Sequence, residues 1–165
     1  MQEGKKTVYV LDSSCLLSMA VPEGRLYTTY FIADEIRSRE PRLLLENMAK
    51  EKRIEIMQPD DKFVAKADET AVKLGFKLSA ADISVAALSL QLRGKGFGPS
   101  AVTDDYALQN LLSALGIKYE SVQLKGISEK RAAVWKCRGC GRTFKEQAGN
   151  CAFCGAETFR KQIRG

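Results

Sequence analysis

The 165-residue chain contains no histidine. That removes the commonest general base and excludes Ser-His and Cys-His catalysis by the usual route, so any hydrolytic chemistry rests on carboxylates, metal ions or both. Long apolar runs are also missing: none approaches the roughly 20 residues needed to cross a bilayer. The polar start, MQEGKK, carries no secretory-signal pattern. The chain therefore reads as a soluble cytoplasmic protein without a membrane partner. It has no internal repeat and no low-complexity tract, and GKGFG at Gly94 to Gly98 lacks the spacing of a P-loop.

What is present is unevenly distributed. From Gln123 onward ten Lys/Arg face three acids, a net of +7, while the residues before it sum to −1. A near-neutral body with a basic end suggests a polyanionic partner held by that end; solubilising surface charge is the other reading. An apolar share of 45% is ordinary for a globular core, and the length suits one domain with a small appendage.

The stretch TVYVLDSS, Thr7 to Ser14, organises the rest. Its continuous apolar run is the signature of a strand buried on both faces. It ends on Asp12, and Ser13 or Ser14 can cap the helix that follows. Further strands are expected at Arg25 to Thr29, Ile54 to Met57, Ser100 to Thr103 and Lys118 to Leu124. Helices are expected over 31–37, after Pro41, from Asp60 or Asp61 to Gly75, from Ser79 onward as the most buried one, and over 106–115. Strands alternating with helices define an α/β fold with a largely parallel sheet flanked by helices. The expected organisation is a domain over 1–124, a linker over 125–134, a small ribbon over 135–159 and a basic tail over 160–165.

In a parallel sheet, ligands bind beyond the carboxyl ends of the strands. Asp12 ends one strand, Asp104 and Asp105 follow another, Asp82 opens a helix, and Glu35 borders the apolar face of one. Taken singly, Asp82, Asp104 and Asp105 also suit helix capping, and Glu35 a solvated helix face. As a set, clustered carboxylates are costly unless a cation neutralises them. Hard oxygen donors suit Mg²⁺ or Mn²⁺, which can activate water for phosphodiester hydrolysis.

Cys137, Cys140, Cys151 and Cys154 form two CxxCG repeats, CRGCG and CAFCG. This is the spacing of two zinc knuckles binding one structural Zn²⁺, and two disulfides are disfavoured in an intracellular chain. Around them lie Lys136, Arg138, Arg142, Lys145, Arg160, Lys161 and Arg164, interleaved with Trp135, Phe144, Phe153 and Phe159. Basic and aromatic residues together suit phosphate contacts with base stacking on RNA. Phe144 and Phe153 also suit a role in covering the small ribbon core. Cys15, beside Leu16 and Leu17, reads as a buried small hydrophobe.

VLDSSCLL, IADEIRS, LSAADISVAALS and AVTDDYALQN together resemble the PIN-domain nucleases along the first 120 or so residues. The resemblance implies an α/β sandwich that cuts single-stranded RNA with Mg²⁺ or Mn²⁺. It implies that Asp12, Glu35, Asp82 and one of Asp104 and Asp105 are the metal-binding acids. With the CxxCG ribbon added, the chain resembles the branch of that family that matures the 3′ end of small-subunit ribosomal RNA, whose partners are the rRNA precursor and the pre-ribosomal small subunit. A PIN ribonuclease acting on another RNA and a non-catalytic RNA-binding assembly factor are the alternatives. A receiver-type phosphoacceptor domain would need a lysine at the end of its last strand, and none is evident.

Overall fold

The computed structural model describes residues 6–122, 133–144 and 149–162. The chain divides into two compact units, Met1–Gly126 and Ile127–Gly165.

In the first unit, strands β1 (Thr7–Leu11), β2 (Arg25–Thr29), β3 (Ile54–Met57), β4 (Gly98–Val102) and β5 (Lys118–Glu120) form one sheet in the order β3-β2-β1-β4-β5. Every pairing is parallel. The chain builds outward from β1 through β2 to β3, then crosses back to lay β4 on the other side of β1. The strand order therefore reverses between β1 and β4, and in open parallel sheets the crevice beyond that point is where ligands bind. Val8, Val10 and Leu11 of β1 are fully buried, as their unbroken apolar run predicts.

Among the described residues six helices accompany these strands: α1 (Ser13–Leu17), α2 (Tyr30–Glu35), α3 (Arg39–Lys50), α4 (Asp61–Lys73), α5 (Ala80–Gly94) and α6 (Tyr106–Ala114). α5 is buried continuously from Ile83 to Leu92. Its polar side chains inside the core are all bonded. Ser84 Oγ lies 2.7 Å from Thr29 Oγ1, Ser89 Oγ donates to the Val85 carbonyl, and Gln91 Oε1 accepts from the Asp60 amide. Buried polar groups left unpaired would each cost about 1–3 kcal/mol, so these bonds fix where α5 and its first turn lie.

Several boundaries differ from the sequence reading, among them the start of α3, which begins at Arg39 rather than after Pro41, and four have a physical reason in the structure. α1 is capped by Asp12 rather than by a serine, because the Asp12 carboxylate accepts the Ser13 amide at 2.7 Å. α2 stops at Glu35 because Ile36, fully buried in the core, turns extended. β4 starts at Gly98 despite Pro99, since the ladder to β5 begins only at Ser100 and proline meets one neighbouring strand rather than two. β5 ends at Glu120, where Asp104 takes the Val122 amide and the Ser121 hydroxyl. The expected continuation at Gln123 and Leu124 lies outside the described residues.

The second unit holds β6 (Ala133–Cys137), β7 (Thr143–Phe144) and β8 (Thr158–Gln162), an antiparallel sheet in the order β7-β6-β8. Most of the expected linker lies outside the described residues.

Candidate active site at the sheet edge and candidate metal centre in the ribbon

Asp12 follows β1 directly, and its amide donates to the Val102 carbonyl at 3.1 Å, which ties it to the end of β4. Only 4% of the residue is exposed. Both carboxylate oxygens are held. Oδ1 accepts the Ser13 amide at 2.7 Å; Oδ2 accepts the Thr103 hydroxyl at 2.7 Å and the Ser14 hydroxyl at 3.3 Å. Burial pushes the carboxyl above its ordinary value, against the pull of those hydrogen bonds, and the charge of Asp82 pushes it further.

Glu35 ends α2, the helix that leaves β2. Partial desolvation raises its pKa first, then the charges of Asp82 and Asp12. Asp82 sits in the first turn of α5, in a capping box with Ser79. Its Oδ2 accepts the Ser79 amide at 2.9 Å and hydroxyl at 2.7 Å, and its own amide donates back to Ser79 Oγ at 3.1 Å. The cap and the site are compatible, because the box engages one oxygen of the two. Asp12, Glu35 and Asp82 thus come from three separate elements to one edge, close enough that the charge of Asp82 adds to the raising of both Asp12 and Glu35.

Asp104 and Asp105 stand at the same edge but are turned to local backbone. Asp104 Oδ1 binds Ser121 and the Val122 amide, the latter at 2.9 Å. Asp105 caps α6, with Oδ1 accepting the Ala107 and Leu108 amides at 2.7 and 3.1 Å. Asp104 nevertheless joins the network through its amide, which donates to Ser14 Oγ at 3.3 Å, the same hydroxyl that donates to Asp12.

Thr103 and Ser14 escaped the sequence reading as parts of the site. Thr103 is fully buried; its hydroxyl donates to Asp12 and accepts the Asp105 amide at 3.1 Å. The signal was a polar residue closing a strand whose end is otherwise apolar. Only the β1–β4 pairing shows which carboxylate it serves.

In the second unit, the four cysteine sulfurs lie within 4.8 Å of one another, the one such metal-capable group among the described residues. Cys137 and Cys154 sulfurs are 3.4 Å apart, and those of Cys140 and Cys151 are 3.6 Å apart. A tetrahedron with metal–sulfur bonds near 2.3 Å has sulfur–sulfur edges of about 3.8 Å, so the donors fit a zinc-sized ion. The two halves repeat one turn. Gly141 donates to the Cys137 carbonyl and Gly155 to the Cys151 carbonyl, and both glycines take φ near +74° (74° and 73°). The amides of Gly139 and Cys140 point at Cys137 Sγ, at 3.3 and 3.4 Å. Chiefly through the Cys140 amide, the Cys137 thiol is lowered to about 6, which favours the thiolate that a metal requires.

Arg142 stacks its guanidinium 3.8 Å from the Phe153 ring centre, and Arg138 lies 5.4 Å from that of Phe159. Phe153 is 69% exposed, so the expectation that it covers the ribbon core is corrected. The knuckle turn carries it outward, where it meets arginine. Lys145 and Arg164 lie outside the described residues, as do the side chains of Arg160 and Lys161.

A switch-point cluster of acids on a five-stranded parallel sheet defines a class, and comparison with known proteins gives it a name. Residues 9–92, which include Asp12, Glu35 and Asp82, match the family described as PIN domain of ribonuclease. The chain belongs to this family of PIN-domain ribonucleases. It is 34% identical over 160 residues to endoribonuclease Nob1 of Methanothermobacter thermautotrophicus, covering 94% of this chain and 93% of that protein. It is 36% identical to endoribonuclease Nob1 of Pyrococcus abyssi (92% and 91% covered) and 31% identical to ribonuclease VapC1 of Thermoplasma acidophilum (93% and 77% covered). Among the described residues no helix is long and apolar enough to cross a membrane.

Proposed function

We propose that this chain is a divalent-metal-dependent endoribonuclease that cuts the precursor of small-subunit ribosomal RNA, on the pre-ribosomal particle in the cytoplasm, to form its mature 3′ end. The observation that carries the chemistry is the convergence of Asp12, Glu35 and Asp82 at the switch point, with Asp12 and Glu35 both held above their ordinary pKa by burial and by neighbouring acids. The two Nob1 relatives, covered nearly end to end, support the substrate.

Asp12 and Asp82, with Asp104 or Asp105, would hold the Mn²⁺ or Mg²⁺, which when bound supplies Lewis acidity and an acidified water. Thr103, Ser13 and Ser14 fix the Asp12 carboxylate so that it meets an ion without rearranging. Glu35 completes the acidic wall and orients the attacking water, with room in its raised pKa to receive a proton. In-line attack on phosphorus breaks the bond to the 3′ oxygen, leaving a 3′-hydroxyl and a 5′-phosphate. The cysteine cluster would hold one structural Zn²⁺, and the ribbon's Arg138, Arg142 and Lys136, with Lys145 and the basic tail, would hold single-stranded RNA.

Relatives named VapC favour a second reading, a PIN ribonuclease acting on a different RNA. Mapping the cut separates the two. With Mn²⁺ and an RNA spanning the small-subunit 3′ end, the first reading expects one cut at the mature end. Preferential cutting of transfer or messenger RNA supports the second.

A further inference from the structure

β2 ends in two threonines, Thr28 and Thr29, both fully buried. A buried hydroxyl is costly unless it is bonded, whereas valine has nearly the same shape and carries no such cost. Successive strand residues point to opposite sides, so the two hydroxyls serve different neighbours.

Thr28 Oγ1 donates to the Leu11 carbonyl at 2.9 Å. That carbonyl belongs to the peptide group joining Leu11 to Asp12, and the amide of the same group donates to the Val102 carbonyl. Thr29 Oγ1 accepts the Ile32 amide at 3.2 Å as the cap of α2, and it lies 2.7 Å from Ser84 Oγ. Ser84 Oγ donates to the Ala81 carbonyl at 2.6 Å. A serine hydroxyl has one proton, so Ser84 gives it to Ala81 and Thr29 donates to Ser84. The bonds therefore run in one direction, from α2 through the end of β2 to the peptide group joining Ala81 to Asp82. The amide of that group donates to Ser79 Oγ at 3.1 Å.

Both routes end on the carbonyl immediately before an acid. A peptide group is planar, so holding its carbonyl and its amide together fixes its plane and the start of the residue that follows. Asp12 and Asp82 each follow a group held in this way. Glu35 is tied to the same pair from the other side. Its helix has only six residues, too few to stand alone, and Thr29 caps it.

We propose, on the reading that these acids hold Mn²⁺ or Mg²⁺, that Thr28 and Thr29 are positioning residues of the site. Thr28 sets the end of β1 that bears Asp12. Thr29, through Ser84, sets α2 against the first turn of α5, and so Glu35 against Asp82. They act through backbone and through Ser84, not on the ion.

The test needs no RNA. Mn²⁺ is titrated into the zinc-loaded full chain and the free ion is read by electron spin resonance, for wild type, Thr28→Val, Thr29→Val, Thr29→Ser and Ser84→Ala. Each variant is measured folded, below its own unfolding transition. Partners behind metal ligands contribute 10–100-fold to affinity, so Thr28→Val, Thr29→Val and Ser84→Ala should each bind Mn²⁺ about tenfold more weakly. Thr29→Ser keeps the hydroxyl and should stay close to wild type. Thr29→Val combined with Ser84→Ala should bind little worse than either alone, because both remove one bond, while Thr28→Val should add to Thr29→Val. Folded valine variants that bind Mn²⁺ as tightly as wild type overturn the proposal, since the hydroxyls then only satisfy the core. Equal losses in Thr29→Val and Thr29→Ser overturn it too. The expected pattern in a wild-type chain that cuts no RNA keeps the positioning role and removes the ribonuclease reading; cleavage without the pattern does the reverse. A wild-type chain that binds no Mn²⁺ removes both.

Discussion

Thr103 donates its hydroxyl to Asp12 at 2.7 Å across 91 residues of chain. The bond spans β1 and β4, the two strands between which the sheet reverses direction, and it joins the most buried acid of the site to the turn that carries Asp104 and Asp105. One hydroxyl thereby fixes the carboxylate and the α6 cap at once.

Replacing Thr103 by valine keeps the shape and removes the donor. Outer partners of metal ligands typically contribute 10–100-fold to activity. Thr103→Val should lower kcat by about that factor with little change in KM, and Thr103→Ser should restore most of it. Equal activity of the valine and serine variants would show that the hydroxyl does not position Asp12.

The raised carboxyls make a signed pH prediction. Ordinary Asp and Glu titrate near 3.9 and 4.3. Because Asp12 and Glu35 titrate higher when folded, the folded chain holds protons that the unfolded chain has released. Stability of the metal-free protein should then fall as pH rises from the ordinary carboxylate range through the raised values. Saturating Mn²⁺ selects the charged forms and should flatten or reverse that slope. Denaturant titrations from pH 4 to pH 7, with and without Mn²⁺, read both; a metal-free slope of opposite sign from these two groups contradicts the account.

Gly139 tests the cysteine centre without replacing a ligand. A Cβ there would stand 2.9 Å from Ala156 Cβ and 3.2 Å from Cys154 Sγ. Gly139→Ala should weaken zinc binding, seen as faster loss to a chelator, by about tenfold, the lower range for disturbed outer shells. Stripping the metal altogether should unfold only the ribbon, because so small a unit draws its folding energy from the ion. Ribbon chemical shifts that survive metal removal would oppose this.

Arg142 and Arg138 each lie over a phenylalanine ring of the ribbon, which orders their guanidinium groups, and the proposed function gives them RNA phosphates as partners. Changing either to alanine should weaken RNA binding across sequences. The salt slope should fall by about 0.7 for each phosphate that the single strand no longer has neutralised. An unchanged slope would remove that arginine from the RNA-holding set.

The strongest sequence signals were those whose cause is local. The apolar run of β1, the opening of α5 at Ser79 and the paired CxxCG turns all follow from neighbours in the chain. What stayed hidden depends on partners far away. Thr103 looked like a strand end until β4 lay beside β1. The start of β4 reaches back past Pro99, because β5 joins the ladder only one residue later. Phe153 read as ribbon core by composition, yet its place at the tip of a knuckle turns it toward Arg142. The acids were visible as a set. Their arrangement, with three sharing a field and two anchored to backbone, required the sheet order.

The central claim is that the carboxylates at the β1–β4 switch point perform metal-dependent RNA cleavage. Its most direct test is cleavage of an RNA spanning the small-subunit 3′ end by wild type and by Asp12→Asn, at saturating Mn²⁺, with both proteins matched for fold and RNA affinity. The account predicts a single cut bearing 3′-hydroxyl and 5′-phosphate ends, with the Asn variant slower by more than about a hundredfold and RNA affinity nearly unchanged. Cleavage that survives in Asp12→Asn, or that continues after chelation of Mn²⁺, would contradict it.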